Sequence, residues 1–235
     1  MDLITGGAGF IGSHLVDSLV AQGKSVRVLD NFSSGREEFL AHHKSTTNVE
    51  IFRADLLDPE SVKNAMQGIN TVHHLAANPD IRLGTEVTDT DLRQGTVATY
   101  NVLEAMRCEG VSRISFASSS AIYGEASIMP TPETYGPVKP ISLYGASKLA
   151  SEALITAWCG TFGAKAWVHR FANIVGPRGT HGVIFDFIHK LKNDPTRLEV
   201  LGNGLQEKSY MSAEDCVRAM VHLVGSTSEN VNLYN

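Results

Sequence analysis

The sequence predicts an α/β protein built on a doubly wound parallel sheet, and three observations carry that expectation. Short β-rich runs alternate with longer amphipathic runs along the 235 residues, the pattern of successive βαβ units. The first β-rich run passes straight into a cluster of glycines that opens an amphipathic run. The second β-rich run ends on an acid, Asp30.

Strands are expected over residues 3–5, 25–29, 49–52, 71–75, 113–117, 165–169, 198–201 and 231–234. The helical period is clearest in Phe10–Ala21, where Ile11, Leu15, Val16 and Leu19 recur three to four apart. Residues 98–107 and 148–162 repeat it. A fourth helix, 213–224, follows Ser212, an N-cap with Asp215 three residues on. The Pro- and Gly-rich stretch 129–140 and the stretch 173–182 read as irregular. Residues 1–172 form the sheet domain, and 173–235 form a smaller segment interleaved with its last elements. That segment reads as incomplete, because the sequence stops directly after a strand.

Composition narrows the function classes. With 43% hydrophobic residues the chain can bury a full core. A net charge of −5 and a pI near 6.0 give no basic field, which excludes nucleic acid as the expected partner. No apolar run reaches the length of a membrane span, and His14 and Asp17 interrupt the apolar N-terminal stretch where a signal peptide would need continuity. Cys108, Cys159 and Cys216 lie far apart without C-x-x-C spacing. They read as reduced thiols of a cytoplasmic protein, with no disulfide and no metal site expected.

The glycine cluster is Gly6-Gly7-Ala8-Gly9-Phe10-Ile11-Gly12. Gly7, Gly9 and Gly12 satisfy G-x-G-x-x-G in the strand–turn–helix setting of a Rossmann dinucleotide site. Gly6, Gly9 and Gly12 let the backbone approach a pyrophosphate, and the N–H groups beyond, from Phe10 and Ile11, offer it a helix N-terminus. Asp30, with Asn31 beside it, is placed to accept from the adenosine ribose hydroxyls. A carboxylate there repels a 2′-phosphate, so NAD is expected over NADP, although Arg36 lies near in sequence. Asp55 ends the third strand before Leu56, where an acid and the next N–H can bracket adenine; a helix-capping Asp is the plain alternative.

With these residues the chain resembles the extended short-chain dehydrogenase/reductase family, in particular its nucleotide-sugar epimerases of the UDP-glucose 4-epimerase type. The resemblance spans nearly the whole chain. Besides the segments above it rests on His74-Leu75-Ala76-Ala77, Ser118-Ser119-Ser120-Ala121-Ile122-Tyr123-Gly124, Tyr144-Gly145-Ala146-Ser147-Lys148 and Arg170-Phe171-Ala172-Asn173.

Tyr144 and Lys148 have Y-x-x-x-K spacing, which puts both on one helix face. The ammonium is expected to draw the phenol pKa down toward the range of a general base. The resemblance implies that Ser119 is the catalytic hydroxyl, with Ser120 as the alternative. It implies that Ala76, Ala77 and Asn78 floor the nicotinamide side, and that Leu75 and Ser118 border the cofactor. It also places Asn173, the helix opening at Val183, and Lys208 against the phosphates of the substrate. Two departures stand out: Leu92 where the family often has Asn, and Lys208 where many members have Arg, which forks to two oxygens as Lys cannot. Sugar dehydratases of the family carry Asp-Glu after the catalytic hydroxyl; Ser120-Ala121 stand there instead.

The resemblance therefore implies NAD-dependent 4-epimerisation of a nucleotide sugar, a UDP-sugar above all, through a transient 4-ketose. A dehydrogenase or reductase of the same family, or an NAD-binding regulator without turnover, stays open. A homodimer through the helices at 98–107 and 148–162 is expected from the family.

Overall fold

A computed structural model describes residues 1–80, 83–227 and 229–235. Seven parallel strands make the main sheet: β1 (Asp2–Thr5), β2 (Val26–Asp30), β3 (Val49–Arg53), β4 (Thr71–His74), β5 (Arg113–Ser119), β6 (Lys165–Phe171) and β9 (Val231–Tyr234), in the order β3-β2-β1-β4-β5-β6-β9. The predicted doubly wound sheet is thus present. Strand order reverses between β1 and β4, and in such sheets ligands bind where the strands' carboxyl ends open onto that switch point.

Helices cover both faces. On one side α2 (Pro59–Met66), α4 (Ala98–Glu109) and α5 (Leu143–Phe162) pack Val62, Leu103, Met106 and Ile155 over Val72, Ile114 and Phe116. On the other, α1 (Phe10–Ala21) and α7 (Ala213–Ser226) pack Leu15, Leu19 and Met220 over Ile4 and Val28. Strands β1, β4, β5 and β6 are buried along most of their length, as parallel strands between two helix layers are, while the edge strand β3 is largely exposed.

Local chemistry sets the helix ends. Asp58 caps α2, accepting from the Glu60 and Ser61 amides, with Pro59 preset for the first turn. Ser142 caps α5 through the Gly145 amide, a cap not expected from the sequence, and Ser212 caps α7 through the Asp215 amide, as expected. Gly110 and Gly163 end α4 and α5 with φ of 70° and 72°, the left-handed stop that glycine adopts without strain.

Three expectations are corrected. Residues 198–201 form no strand: Leu198, Val200 and Leu201 are exposed and have no sheet edge beside them. The stretch 173–182 is not wholly irregular, because β7 (Asn173–Val175) pairs in parallel with β8 (Tyr210–Ser212) as a separate two-stranded sheet. Helix α5 starts at Leu143, five residues ahead of the expected start, because the Ser142 cap precedes the apolar period. A one-turn helix α3 (Leu83–Glu86) and a wide π-turn over Leu92–Val97 lead into α4. Helix α6 (Val183–Asn193) has no buried residue.

Candidate active site

The glycine turn is fitted to its neighbours closely enough that side chains are excluded. Gly6 has φ +69°, and a Cβ there would lie 2.8 Å from the Ala76 nitrogen at the end of β4. A Cβ on Gly12 would collide with the Gly6 carbonyl. Gly9, the N-cap of α1, supplies no side-chain bond, so the amides of Phe10, Ile11 and Gly12 keep the free donors of a helix start. Those donors and the positive end of α1 suit a pyrophosphate.

Asp30 closes this pocket at the tip of β2. Its Oδ2 accepts from the Ala8 amide at 2.9 Å and its Oδ1 from the Phe32 amide at 2.8 Å. Burial pushes its carboxyl above the ordinary range, with those two amides and Arg53 pulling the other way. Each oxygen keeps a further lone pair for a ribose hydroxyl. Asn31 donates from Nδ2 to Asp55 Oδ2 at 2.9 Å, and Asp55 Oδ1 caps the turn through the Leu57 amide at 2.8 Å. Asp55 is thus both a capping acid and a neighbour of the Asp30–Asn31 corner. Leu56 is buried, its carbonyl accepting from Asn101 at 2.8 Å. Leu75, Ala76 and Ala77 follow β4 directly, with the Leu75 amide bonded to the Thr5 carbonyl at 3.2 Å.

Across the switch point, β5 delivers Ser118 and Ser119 to opposite faces, as strand geometry requires. Ser118 is buried and donates to Glu152 Oε1 at 2.5 Å, so its hydroxyl proton is already engaged. Ser119 accepts from the Ala121 amide at 3.2 Å, and its hydroxyl is near enough to the Tyr144 phenol to lower that group's pKa. Ser120 is exposed, beyond the strand end. Geometry therefore brings Ser119, not Ser120, to the tyrosine.

Tyr144 sits on the first turn of α5 and Lys148 one turn later. The ammonium is buried, donates to the Ala117 carbonyl at 2.6 Å, and lies 5.8 Å from the centre of the Tyr144 ring and 4.8 Å from that of Phe116. Burial draws Lys148 down to about 8, with Glu152 and Asp91 opposing. For the phenol the structure departs from the sequence expectation. Burial and the Asp91 carboxylate hold Tyr144 above its ordinary value, with the Ser119 hydroxyl lowering it in part. Enclosure, not the neighbouring cation, sets the direction.

Several site residues were not singled out from sequence. Asp91 is 2% exposed; its Oδ1 accepts from Asn78 at 3.1 Å, and its Oδ2 has no hydrogen-bond partner among the described residues. Glu152, one turn beyond Lys148, also pairs with Arg170 at 2.8 Å, and Arg170 Nη1 donates to the Tyr123 hydroxyl at 2.8 Å. His74, held by Thr5 at 2.7 Å and Thr99 at 3.0 Å, ties β1 and β4 to α4, and Thr99 continues to Ser151 of α5 at 3.1 Å. Burial keeps His74 neutral, drawing it down to about 3. Asp91, Glu152 and Thr99 gave no signal beyond polar residues at helical spacing, which also marks ordinary solvated faces, while His74, Tyr123 and Arg170 stood inside the motif segments without an assigned role in the site.

The substrate-side candidates lie apart from this cluster in the chain and on exposed surface. Asn173 donates from Nδ2 to the Ser209 carbonyl at 3.1 Å, which sets Lys208 next to that bond. Lys208 is exposed. Val183 opens α6 behind Gly182, whose φ is 101° and which offers no side-chain cap.

Comparison with known proteins places this geometry. Residues 3–235 match the family described as the NAD dependent epimerase/dehydratase family. A putative UDP-glucose 4-epimerase of Methanocaldococcus jannaschii is 33% identical over 240 residues, covering 99% of this chain and 76% of its own. A UDP-glucuronic acid decarboxylase of Xenopus tropicalis is 32% identical over 99% of this chain, which spans only 56% of that longer protein. A crystal structure of a UDP-galactose 4-epimerase superposes with a TM-score of 0.87 at 43% identity, covering all of this chain and 76% of the other. The UDP-glucose 4-epimerase of Thermotoga maritima, solved with UDP-glucose, gives 0.91 at 32% identity, with coverage of 100% and 76%.

Proposed function

The chain belongs to the NAD-dependent epimerase/dehydratase family, and from that premise we propose that it interconverts the C4 epimers of a nucleotide sugar of the UDP-glucose and UDP-galactose type. One observation carries the choice: Tyr144 stands between Ser119 and Lys148, while the two residues after Ser119 are Ser120 and Ala121 rather than carboxylates. A dehydratase needs further acid–base groups to expel water, and a hydroxyl and a methyl cannot serve.

The residues fit NAD. Phe10, Ile11 and Gly12 present amides to the pyrophosphate, Asp30 and Asn31 take the adenosine ribose, and Asp55 with Leu56 brackets adenine. Leu75, Ala76 and Ala77 leave room on the nicotinamide side, and the Ser118 backbone borders it. NAD, when bound, supplies a reversible hydride acceptor. Tyr144 holds the proton of the sugar 4-hydroxyl, Ser119 hydrogen-bonds the same oxygen, and Lys148 braces the tyrosine from the Ala117 carbonyl.

Asn173, Val183 and Lys208 form the phosphate-facing side of the substrate segment, residues 173–235. Asn173 and Lys208 are neighbours at the β7–β8 pair, and Val183 is supported by its place at the start of α6. The same reading extends to a cytoplasmic homodimer. Among the described residues, no helix is long and apolar enough to cross a membrane, and the three cysteines are free. Half-exposed Tyr100 of α4 packs edge-on to Trp158 of α5 at 6.1 Å, and Trp158 meets half-exposed Phe162 at 4.9 Å. This aromatic patch suits a two-helix interface.

Incubating purified protein with UDP-galactose and with UDP-glucose, without added NAD, tests the assignment. Interconversion in both directions is expected. Net oxidation dependent on added NAD would make it a dehydrogenase, and tight NAD binding with no turnover would make it a regulator.

A further inference from the structure

Away from the cleft, Asp17 of α1 meets two consecutive histidines from the 3-10 turn Glu37–His43. His42 Nε2 and His43 Nε2 lie 2.8 Å and 2.6 Å from one and the same oxygen, Asp17 Oδ1. The imidazole rings lie against each other, centroids 4.0 Å apart, so both nitrogens aim at that point. Arg178, from the segment after β7, holds the second oxygen, Oδ2, at 2.8 Å. Burial alone would raise the Asp17 carboxyl, but His43, His42 and Arg178 outweigh it and keep the group ionised below its ordinary range.

We propose that Asp17, His42 and His43 bind a divalent transition-metal ion, with zinc as the matching probe. The three donor atoms all lie within 4.8 Å of one another. In a tetrahedral zinc site, metal–ligand bonds near 2.1 Å set donors about 3.4 Å apart. The present separations need to open by roughly 0.6–0.8 Å to reach that spacing. His42 can supply the movement, since its side chain is half exposed. The exposed side leaves the fourth position to water.

Arg178 is compatible with the ion because it engages the other oxygen. A ligating carboxylate is commonly fixed by a hydrogen bond to its free oxygen. Binding is a ligand exchange without redox change. The ion replaces the N–H protons between each Nε2 and Oδ1, and each neutral ring carries its proton on Nδ1. The ion would fasten α1 to the segment that follows β2, where Gly35 packs so closely on the Asp30 carboxylate that a Cβ would sit 2.9 Å from it. The chain spacing of 25 and 26 residues between the donors hid this cluster from the sequence.

Isothermal titration of zinc chloride into chelator-treated protein, with cobalt(II) absorbance as a geometric probe, tests the site. One ion per chain is expected, with tetrahedral cobalt bands and a melting temperature raised by roughly 5 °C or more at a hundredfold excess over Kd. His42→Gln, an exposed change, and Asp17→Asn should weaken binding at least about tenfold, whereas Cys108→Ser leaves it unchanged. If Asp17→Asn does not fold, His42→Gln alone decides. No saturable binding, or binding untouched by His42→Gln, would overturn the proposal and leave a hydrogen-bonded His–Asp cluster only.

Discussion

Lys148 lies 5.8 Å from the centre of the Tyr144 ring while its ammonium is spent on the Ala117 carbonyl, 2.6 Å away. The cation thus braces the tyrosine without bonding its hydroxyl, and its burial has a measurable consequence. Because Lys148 falls from 10.5 to about 8, the unfolded chain holds a proton between pH 8 and 10 that the folded chain has released. Stability due to this group therefore rises with pH across that window, by roughly 2 kcal/mol. Denaturant titrations at pH 8 and pH 10 should show this gain in the wild type and not in Lys148→Met.

Tyr144→Phe removes the oxygen proposed to hold the proton and little else. Turnover on a UDP-sugar should fall about 10²–10⁴-fold, while bound NAD and melting temperature stay close to wild type. Steady-state kinetics with quantitation of released cofactor checks this; unchanged turnover contradicts the assigned role.

Asp30→Ala removes the carboxylate proposed to accept from the ribose and leaves the Ala8 and Phe32 amides without their partner. NAD affinity should drop about 10- to 100-fold, and discrimination against NADP should narrow as the repulsive carboxylate disappears. Calorimetric titration with both dinucleotides reads the two effects, and an unchanged preference contradicts the role of Asp30.

Two glycine-to-alanine changes should move in opposite directions. Gly12→Ala drives a methyl into the Gly6 carbonyl, whereas a Cβ on Gly160 of α5 meets nothing within 4 Å. Gly12→Ala should abolish cofactor retention. Gly160→Ala should stabilise the fold by about 0.5–1 kcal/mol, the helix propensity difference. Thermal melts with and without NAD separate the two.

Local patterns were legible in the sequence, and contacts between distant segments were not. The glycine turn, Asp30 and the Tyr144–Lys148 pair announce themselves because each depends on spacing within one turn or one strand end. Ser119 over Ser120 needed the strand's alternation, which aims Ser118 at Glu152 instead. The pairing of β7 with β8 joins residues 37 apart, and the apolar run at 198–201 imitates a strand while lying exposed. Asp91 raises Tyr144 from a separate helical segment, which no local motif encodes. The expected drop of the phenol pKa failed for that reason: spacing reveals the cation but not the burial around it.

In the proposed epimerisation the hydride removed from sugar C4 returns to the same carbon while Tyr144 handles only the hydroxyl proton. Following UDP-galactose deuterated at C4, without added NAD, tests this most directly. UDP-glucose that keeps the deuterium at C4 is expected. Absence of conversion, or conversion with the label lost to solvent, would contradict it.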